Sequence, residues 1–346
     1  MFKTFQTVLV PGLIVFIVTL IATQFLVTYL YNAGIVAEDR NKGKAKLIAG
    51  SGGLAVAAGI VFGMLAYISG GSFNIFTPVI NISQLLAVAL SIMLIAMVGF
   101  LDDINVQRKR VKSTDRMDIR QGLKQWQKPL LTFVGALPLM AINAGVSTIN
   151  IPFVGNVNFL IFYPLIIIPL AVIFVSNAVN LLGGFDGLQP GMTLVAGIGL
   201  LIYSIFFGTY MGTLLSSLMV AAILAFLPFN ARNAKIIPGD SFTYAIGATM
   251  VAIMIMGHEE AFGVIIFIPW IIEFFLHLRR GFQVSDLGIR QGDGTLRPPY
   301  GKSIFSLTHV VMNIKKATEM DVTLYLCAFE AIFVILAFLL KFAGLL

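Results

Sequence analysis

Ten apolar runs, each close to the length of a bilayer-crossing helix, divide this 346-residue sequence. They lie at 8–31, 47–69, 82–101, 129–144, 158–179, 191–208, 210–228, 241–257, 261–278 and 323–345. A helix rising about 1.5 Å per residue needs about 20 apolar residues to cross the hydrocarbon layer. No water reaches the backbone there, so helices that satisfy their own N–H and C=O groups are the expected solution. Only 11% of the residues are charged, against about a quarter in a soluble domain. Mean hydropathy is +0.94. The expectation is an all-α polytopic membrane protein, one domain over 1–346, with about ten transmembrane helices. The first run is longer than the roughly 7–15 residues of a signal-peptide core and reads as a retained span.

Charge orients the runs. With the N-terminus outside, the inside loops are 32–46, 102–128, 180–190, 229–240 and 279–322. Of the chain's 23 lysines and arginines, all but Lys3 and Lys341 fall in these loops. Cytoplasmic loops carry such an excess. Both termini are therefore expected on the extracytoplasmic side of a cell membrane, with the working loops in the cytoplasm. Topology also accounts for the net charge of +7 and for lysines facing lipid headgroups, with no nucleic acid partner. The single cysteine, Cys327, allows neither an internal disulfide nor a cysteine metal site. The charged piece 111–127 reads as a solvated face rather than a surface helix.

The polar residues that interrupt the runs cluster on that inner side. Asp102 and Asp103 close the third run; like charges this close raise a pKa or recruit a cation. The stretch 177–191 ends an apolar helix in Asn177, Asn180, Gly183, Gly184, Asp186 and Gly187. Glycine after a helix is an ordinary cap, but a cap does not explain two amides and a carboxylate together. Asp240 precedes the eighth run, where an acid is also a normal N-cap. Taken together, Asp102, Asp103, Asp186 and Asp240 can share one depth, and carboxylate and amide oxygens beside phosphate describe a magnesium site. Lys44, Lys128, Arg279, Arg280, Arg290 and Arg297 are the phosphate partners available. Lys128 re-enters the membrane within Trp126-Gln127-Lys128-Pro129. No P-loop, dinucleotide fingerprint or H-E-x-x-H occurs, and no hydrolytic triad is identifiable. Glu273 and Glu330, in or near spans, are left outside the site.

These motifs, in this order, resemble the polyprenyl-phosphate N-acetylhexosamine-1-phosphate transferases over almost the whole chain. The resemblance rests on 39–53, on Asp102-Asp103, on N-A-V-N-L-L-G-G-F-D-G-L from Asn177, on P-G-D-S-F-T-Y-A-I-G from Pro238, and on the basic loop before the last run. Within the superfamily the chain looks most like the archaeal and eukaryotic UDP-N-acetylglucosamine–dolichyl-phosphate N-acetylglucosamine-1-phosphate transferases. Gly183 stands where bacterial relatives carry an Asp, and His309 stands alone in place of their histidine cluster. Two departures are Asp186, where the eukaryotic enzymes have Asn, and the longer loop 104–127.

The resemblance implies a Mg2+-dependent phosphotransferase, with Mn2+ as a possible substitute. Asn180 and Asp240 would hold the metal. Asp186, with the Gly184 and Gly187 backbone, would lie near the uracil. Asp102 and Asp103 would orient or deprotonate the lipid phosphate, and Lys128 would bind phosphate at the reacting centre. Lys44 and Arg290 would meet the nucleotide-sugar end. The implied partners are UDP-N-acetylglucosamine, a polyprenyl or dolichyl phosphate and membrane lipid. The implied reaction is the first step of N-glycan-type assembly. The oligomeric state stays open, a homodimer included. One alternative is a relative using another UDP-N-acetylamino sugar for cell-wall or surface glycans. Another is a secondary transporter, which the one-sided polar residues and the lack of repeats disfavour.

Overall fold

A computed structural model describes residues 2–39, 41–42, 46–104, 123–124, 126–151 and 155–346. Lys44 and most of the charged piece 111–127 lie outside the described residues. All ten apolar runs are helical, but not all as single rods. Among the described residues eight helices are long and apolar enough to cross a membrane, or nine if one bent pair counts as a span. The chain is thus a polytopic helical membrane protein, with eight or nine of the about ten expected spans long and apolar enough by this measure.

The long helices are α1 (Phe2–Asn32), α2 (Gly53–Ser72) and α3 (Ile82–Ile104). The fourth run is broken into α4 (Gln127–Thr132), a 3-10 turn (Phe133–Ala136) and α5 (Leu137–Ala141). Fifteen helical residues span only about 22 Å. Pro138 lies at the start of α5, and the Ser91 hydroxyl donates to the Gly135 carbonyl at the break. A π turn (Tyr163–Ile167) then leads into α6 (Ile168–Leu181). The helices α7 (Leu188–Phe206), α8 (Tyr210–Asn230) and α9 (Gly239–Gly257) follow. The ninth run bends by 55° between α10 (Glu260–Ile266) and α11 (Ile268–Leu278). Pro269, with no N–H to donate, lies just past the bend. The short α12 (Leu307–Ile314) precedes α13 (Glu319–Phe342).

Among the described residues, three two-stranded antiparallel hairpins qualify the all-α expectation. They are β1 (Val36–Asp39) with β2 (Lys46–Ala49), β3 (Thr148–Ile151) with β4 (Gly155–Asn158), and β5 (Ile289–Arg290) with β6 (Leu296–Arg297). In the first, Val36 pairs with Ala49 and Asp39 with Lys46. The apolar residues of β2 read in sequence as the start of the second span. Ile237 N–H donates to Ala49 O at 2.8 Å and Gly52 N–H to Ile237 O at 2.9 Å, so this hairpin is tied to the loop before α9.

The centre of the bundle is α9, packed by α2, α3, α6 and α8. Of its most apolar stretch 89% is buried, against 22% for α1. Leu13, Ile17, Ile21 and Phe25 of α1 are instead exposed, as lipid-facing residues are. The loops ending α1, α3, α6, α8 and α11 meet one another at a single face of the bundle. Asn41 reaches Gly184, Arg290 reaches Asn41, and Asp186 reaches Ala234. The opposite face is closed by Thr209 bonding to Met256 O and by Tyr163 bonding to Glu260.

Candidate active site

Two polar centres occupy the loop face. The first forms where α3 ends and α9 begins. Lys128, on the first turn of α4, sets its ammonium 2.7 Å from Asp102 Oδ2 and 3.2 Å from Asp240 Oδ2. Asp102 is buried, with 2% of its surface exposed, and its Oδ1 accepts Leu123 N–H at 2.6 Å. Asp103 faces differently: Oδ1 accepts Asp240 N–H at 2.7 Å and Oδ2 accepts Ser241 N–H at 3.2 Å. Adjacent helical residues diverge by about 100°, so the acid pair splits between an ammonium and a helix N-terminus. Tyr244, one turn along α9, presents its hydroxyl among Asp240, Lys128, Asp102 and Asn180. Asn177, which the sequence left unassigned, bonds Thr132 Oγ1 at 3.0 Å and Ile173 O at 2.8 Å. It locks α6 to α4 and so holds the Lys128 turn against the Asn180 end.

The second centre joins loops far apart in sequence. Lys42 lies 2.7 Å from Asp186, 2.5 Å from Glu319 and 3.9 Å from Asp39. Asp39, Asp186 and Glu319 set carboxylate oxygens within 4.8 Å of one another. Asp186 Oδ2 also accepts Ala234 N–H at 3.0 Å, and its own N–H donates to Glu319 at 3.0 Å. Asn41 Nδ2 donates to Gly184 O at 2.7 Å, and Arg290 donates to Asn41 O at 3.0 Å. Gly187, in the left-handed region at φ 73°, donates its N–H to Asn230 Oδ1. Burial, then the charges of Asp186 and Glu319 against the pull of Lys42, raises the Asp39 pKa to about 6. Burial opposes the charge on Lys42, but its bonds to Asp186 and Glu319 outweigh that and raise its pKa.

The structure therefore brings together Asp102, Asp103, Lys128, Asn180 and Asp240 in one centre, and Asp186, Gly184, Gly187 and Arg290 in the other. The 182–187 turn and the 231–240 segment run between the two. Arg279 and Arg280 stack over Phe305 and Tyr300 instead of joining either centre. Asp39, Asn41 and Lys42 lie in the 39–53 stretch that carries the resemblance but were given no place in the site, and Glu319 was passed over. A loop lysine looks like a topology signal. Glu319, beside the capping box of Thr318 and Asp321, looks like helix-start chemistry.

The loop carrying Arg290 is anchored separately. His277 Nε2 lies 2.9 Å from Glu273 Oε1 and 3.0 Å from Asp286 Oδ1, while Glu273 Oε2 accepts Leu307 N–H at 2.7 Å. His309 accepts Phe305 N–H at Nδ1 and meets Ser285 O at 2.9 Å through Nε2. Burial lowers its pKa, so it is a neutral brace within the loop.

Residues 85–258, which contain the whole first centre and the 182–187 turn, match the glycosyl transferase family 4 pattern. Across 340 residues the chain is 34% identical to a protein of Saccharolobus solfataricus, covering 96% of this chain and 97% of that one. The chain belongs to glycosyl transferase family 4. The Saccharolobus member of the family is provisionally named a UDP-N-acetylglucosamine–dolichyl-phosphate N-acetylglucosaminephosphotransferase. So is a Sulfolobus acidocaldarius member, 29% identical over 95% of both chains. A phospho-N-acetylmuramoyl-pentapeptide-transferase of Streptococcus mutans is 31% identical over 77% of each chain. Asp39, Asn41, Lys42, Arg290 and Glu319 fall outside the matched family segment, so most of the second centre comes from flanking parts of the chain.

Proposed function

We propose that this enzyme transfers N-acetylglucosamine-1-phosphate from UDP-N-acetylglucosamine to a polyprenyl phosphate of dolichyl type. UMP is released, and the product is a lipid-linked diphosphate sugar. The observation that carries the reading is Lys128 held between Asp102 and Asp240 at the membrane edge of the bundle. A lipid phosphate resides at that depth, and a fixed ammonium is the partner a transferring phosphoryl group needs.

The polyprenyl phosphate oxygen attacks the β-phosphorus while the bond to the UMP oxygen breaks. Lys128 binds phosphate oxygens at the reacting centre, and Asp102 holds the ammonium and orients the incoming lipid phosphate. Catalysis is mainly positioning and electrostatics. Asp186, Gly184, Gly187, Lys42 and Arg290 take the nucleotide-sugar end. The donor set at the first centre is all oxygen, from Asn180 and Asp240, which fits a hard cation such as Mg2+. A Mg2+ held there would supply charge screening for the crowded phosphates and for the leaving group. Asp39, Asp186 and Glu319 also converge, with Lys42 among them as Lys128 is beside Asp240, and form a second all-oxygen group able to hold a cation. The basic loops orient this face toward the cytoplasm, with ten passes of the chain in all.

The test incubates purified protein with polyprenyl phosphate and a panel of UDP-sugars and scores UMP release. Release with UDP-N-acetylglucosamine, lost on chelation and restored by Mg2+ or Mn2+, is expected. No release with any donor would sink the reading. Preference for another UDP-N-acetylamino sugar would support a cell-wall or surface-glycan role, which the similarity to muramoyl-pentapeptide transferases keeps in view.

A further inference from the structure

We infer that Asp103 is a positioning residue. Together with Gly99 it brackets the first turn of α9 and fixes where Asp240 points. The inference rests on the proposed role of Asp240 in the reacting centre.

The first N–H groups of a helix have no partner within it and need one from outside. In most helices the preceding residue supplies it. Here that residue is Pro238, which makes no side-chain cap, and next comes Gly239, which has no side chain. The acceptors come from another helix: both Asp103 oxygens take N–H groups of α9, those of Asp240 and Ser241. A carboxylate at a helix N-terminus also meets the positive end of the helix dipole. Gly239 makes this possible. Its φ is +74°, and a Cβ there would lie 2.5 Å from Asp103 Oδ2.

Gly99, four residues before Asp103 and on the same face of α3, completes the bracket. A Cβ at Gly99 would lie 2.4 Å from Asp240 O and 2.6 Å from Ser241 N. Gly53 of α2 closes the third side, where a Cβ would fall on the backbone of Phe242. The backbone of residues 240–242 is thus gripped from two helices. The Asp240 carboxylate is left free to face Lys128. Asp102 and Asp103 are therefore not two equivalent acids: one holds the ammonium, the other holds the helix that carries the second acid.

The test uses full-length Asp103→Ala, Asp103→Asn and Gly99→Ala proteins purified in detergent. Amide hydrogen exchange reads the first turn of α9 directly, and Mn2+ titration by paramagnetic resonance reads the Asp240 centre without substrate. Asp103→Ala is expected to speed exchange at Asp240 and Ser241 and to weaken Mn2+ binding by about tenfold, the size of a lost helix cap. Asp103→Asn, able to accept one of the two bonds, falls between. Gly99→Ala weakens Mn2+ binding in the same direction although it alters no carboxylate. Residual turnover of the Asn protein keeps the wild-type pH profile. Unchanged exchange and Mn2+ affinity with turnover abolished, or loss of the acid limb in the Asn protein, overturns the inference and puts Asp103 on the substrate. Exchange requires neither metal nor substrate. Altered exchange in a protein whose wild type releases no UMP would sink the transfer reading and leave the bracket standing.

Discussion

Lys128 is the residue on which the first centre turns, because two acids from different helices converge on one ammonium. Lys128→Gln keeps length and polarity but removes the charge. UMP release by this variant is expected to fall by about 10²–10³, the usual loss for one preorganised phosphate or oxyanion partner. Near-normal turnover would remove Lys128 from the reacting centre. Asp39 makes a different prediction. Its pKa rises from 3.8 to about 6 in the fold, so between those values the folded chain holds a proton that the unfolded chain has released. Stability therefore falls as pH rises through that window and stays lowered above it. Asp39→Asn is expected to raise the melting temperature of the ligand-free protein at pH 7.5 and to leave it unchanged near pH 4. An equal effect at both pH values would contradict this. The acids at 102, 103, 186 and 240 were legible in sequence because each interrupts an apolar run. Lys42 and Glu319 were not. They lie 277 residues apart in the chain, and a loop lysine and a helix-start glutamate each have an ordinary local explanation.

At the scale of elements, length and apolarity were enough to find every long helix but not the short α12, nor to tell a rod from a broken one. Pro129, Pro138 and Pro269 were visible, yet a sliding count of apolar residues passes over them, and β2 merges with the span that follows it. The bend after α10 directs α11 toward the loop face, where the Glu273–His277–Asp286 clasp meets α12. Removing the imidazole leaves a buried carboxylate without its counter-charge, which is costly. His277→Ala is expected to expose the 279–306 loop to faster limited proteolysis. It should also raise KM for the UDP-sugar more than it lowers kcat, since the loop carries Arg290. A fall in kcat alone, with the loop still protected, would place His277 in the chemistry.

For the molecule as a whole, the distribution of lysine and arginine predicted which loops would meet, and the structure gathers those loops at one face. The side of the membrane they occupy is open to direct measurement. In a Cys327→Ser background, Asp293→Cys and Asn150→Cys mark opposite ends of the bundle, and both positions are exposed. In intact cells an impermeant maleimide should label position 150 and spare 293 until the membrane is opened. The reverse pattern would invert the topology. The buried position of α9 has a bearing on how the protein is made. It is the least apolar of the eight qualifying helices, a weak candidate for partitioning into lipid by itself. The four helices that wrap it, α2, α3, α6 and α8, all precede it in the chain. Its slot can be assembled before it leaves the ribosome, so the helix bearing Asp240 enters a prepared protein cavity instead of bare bilayer.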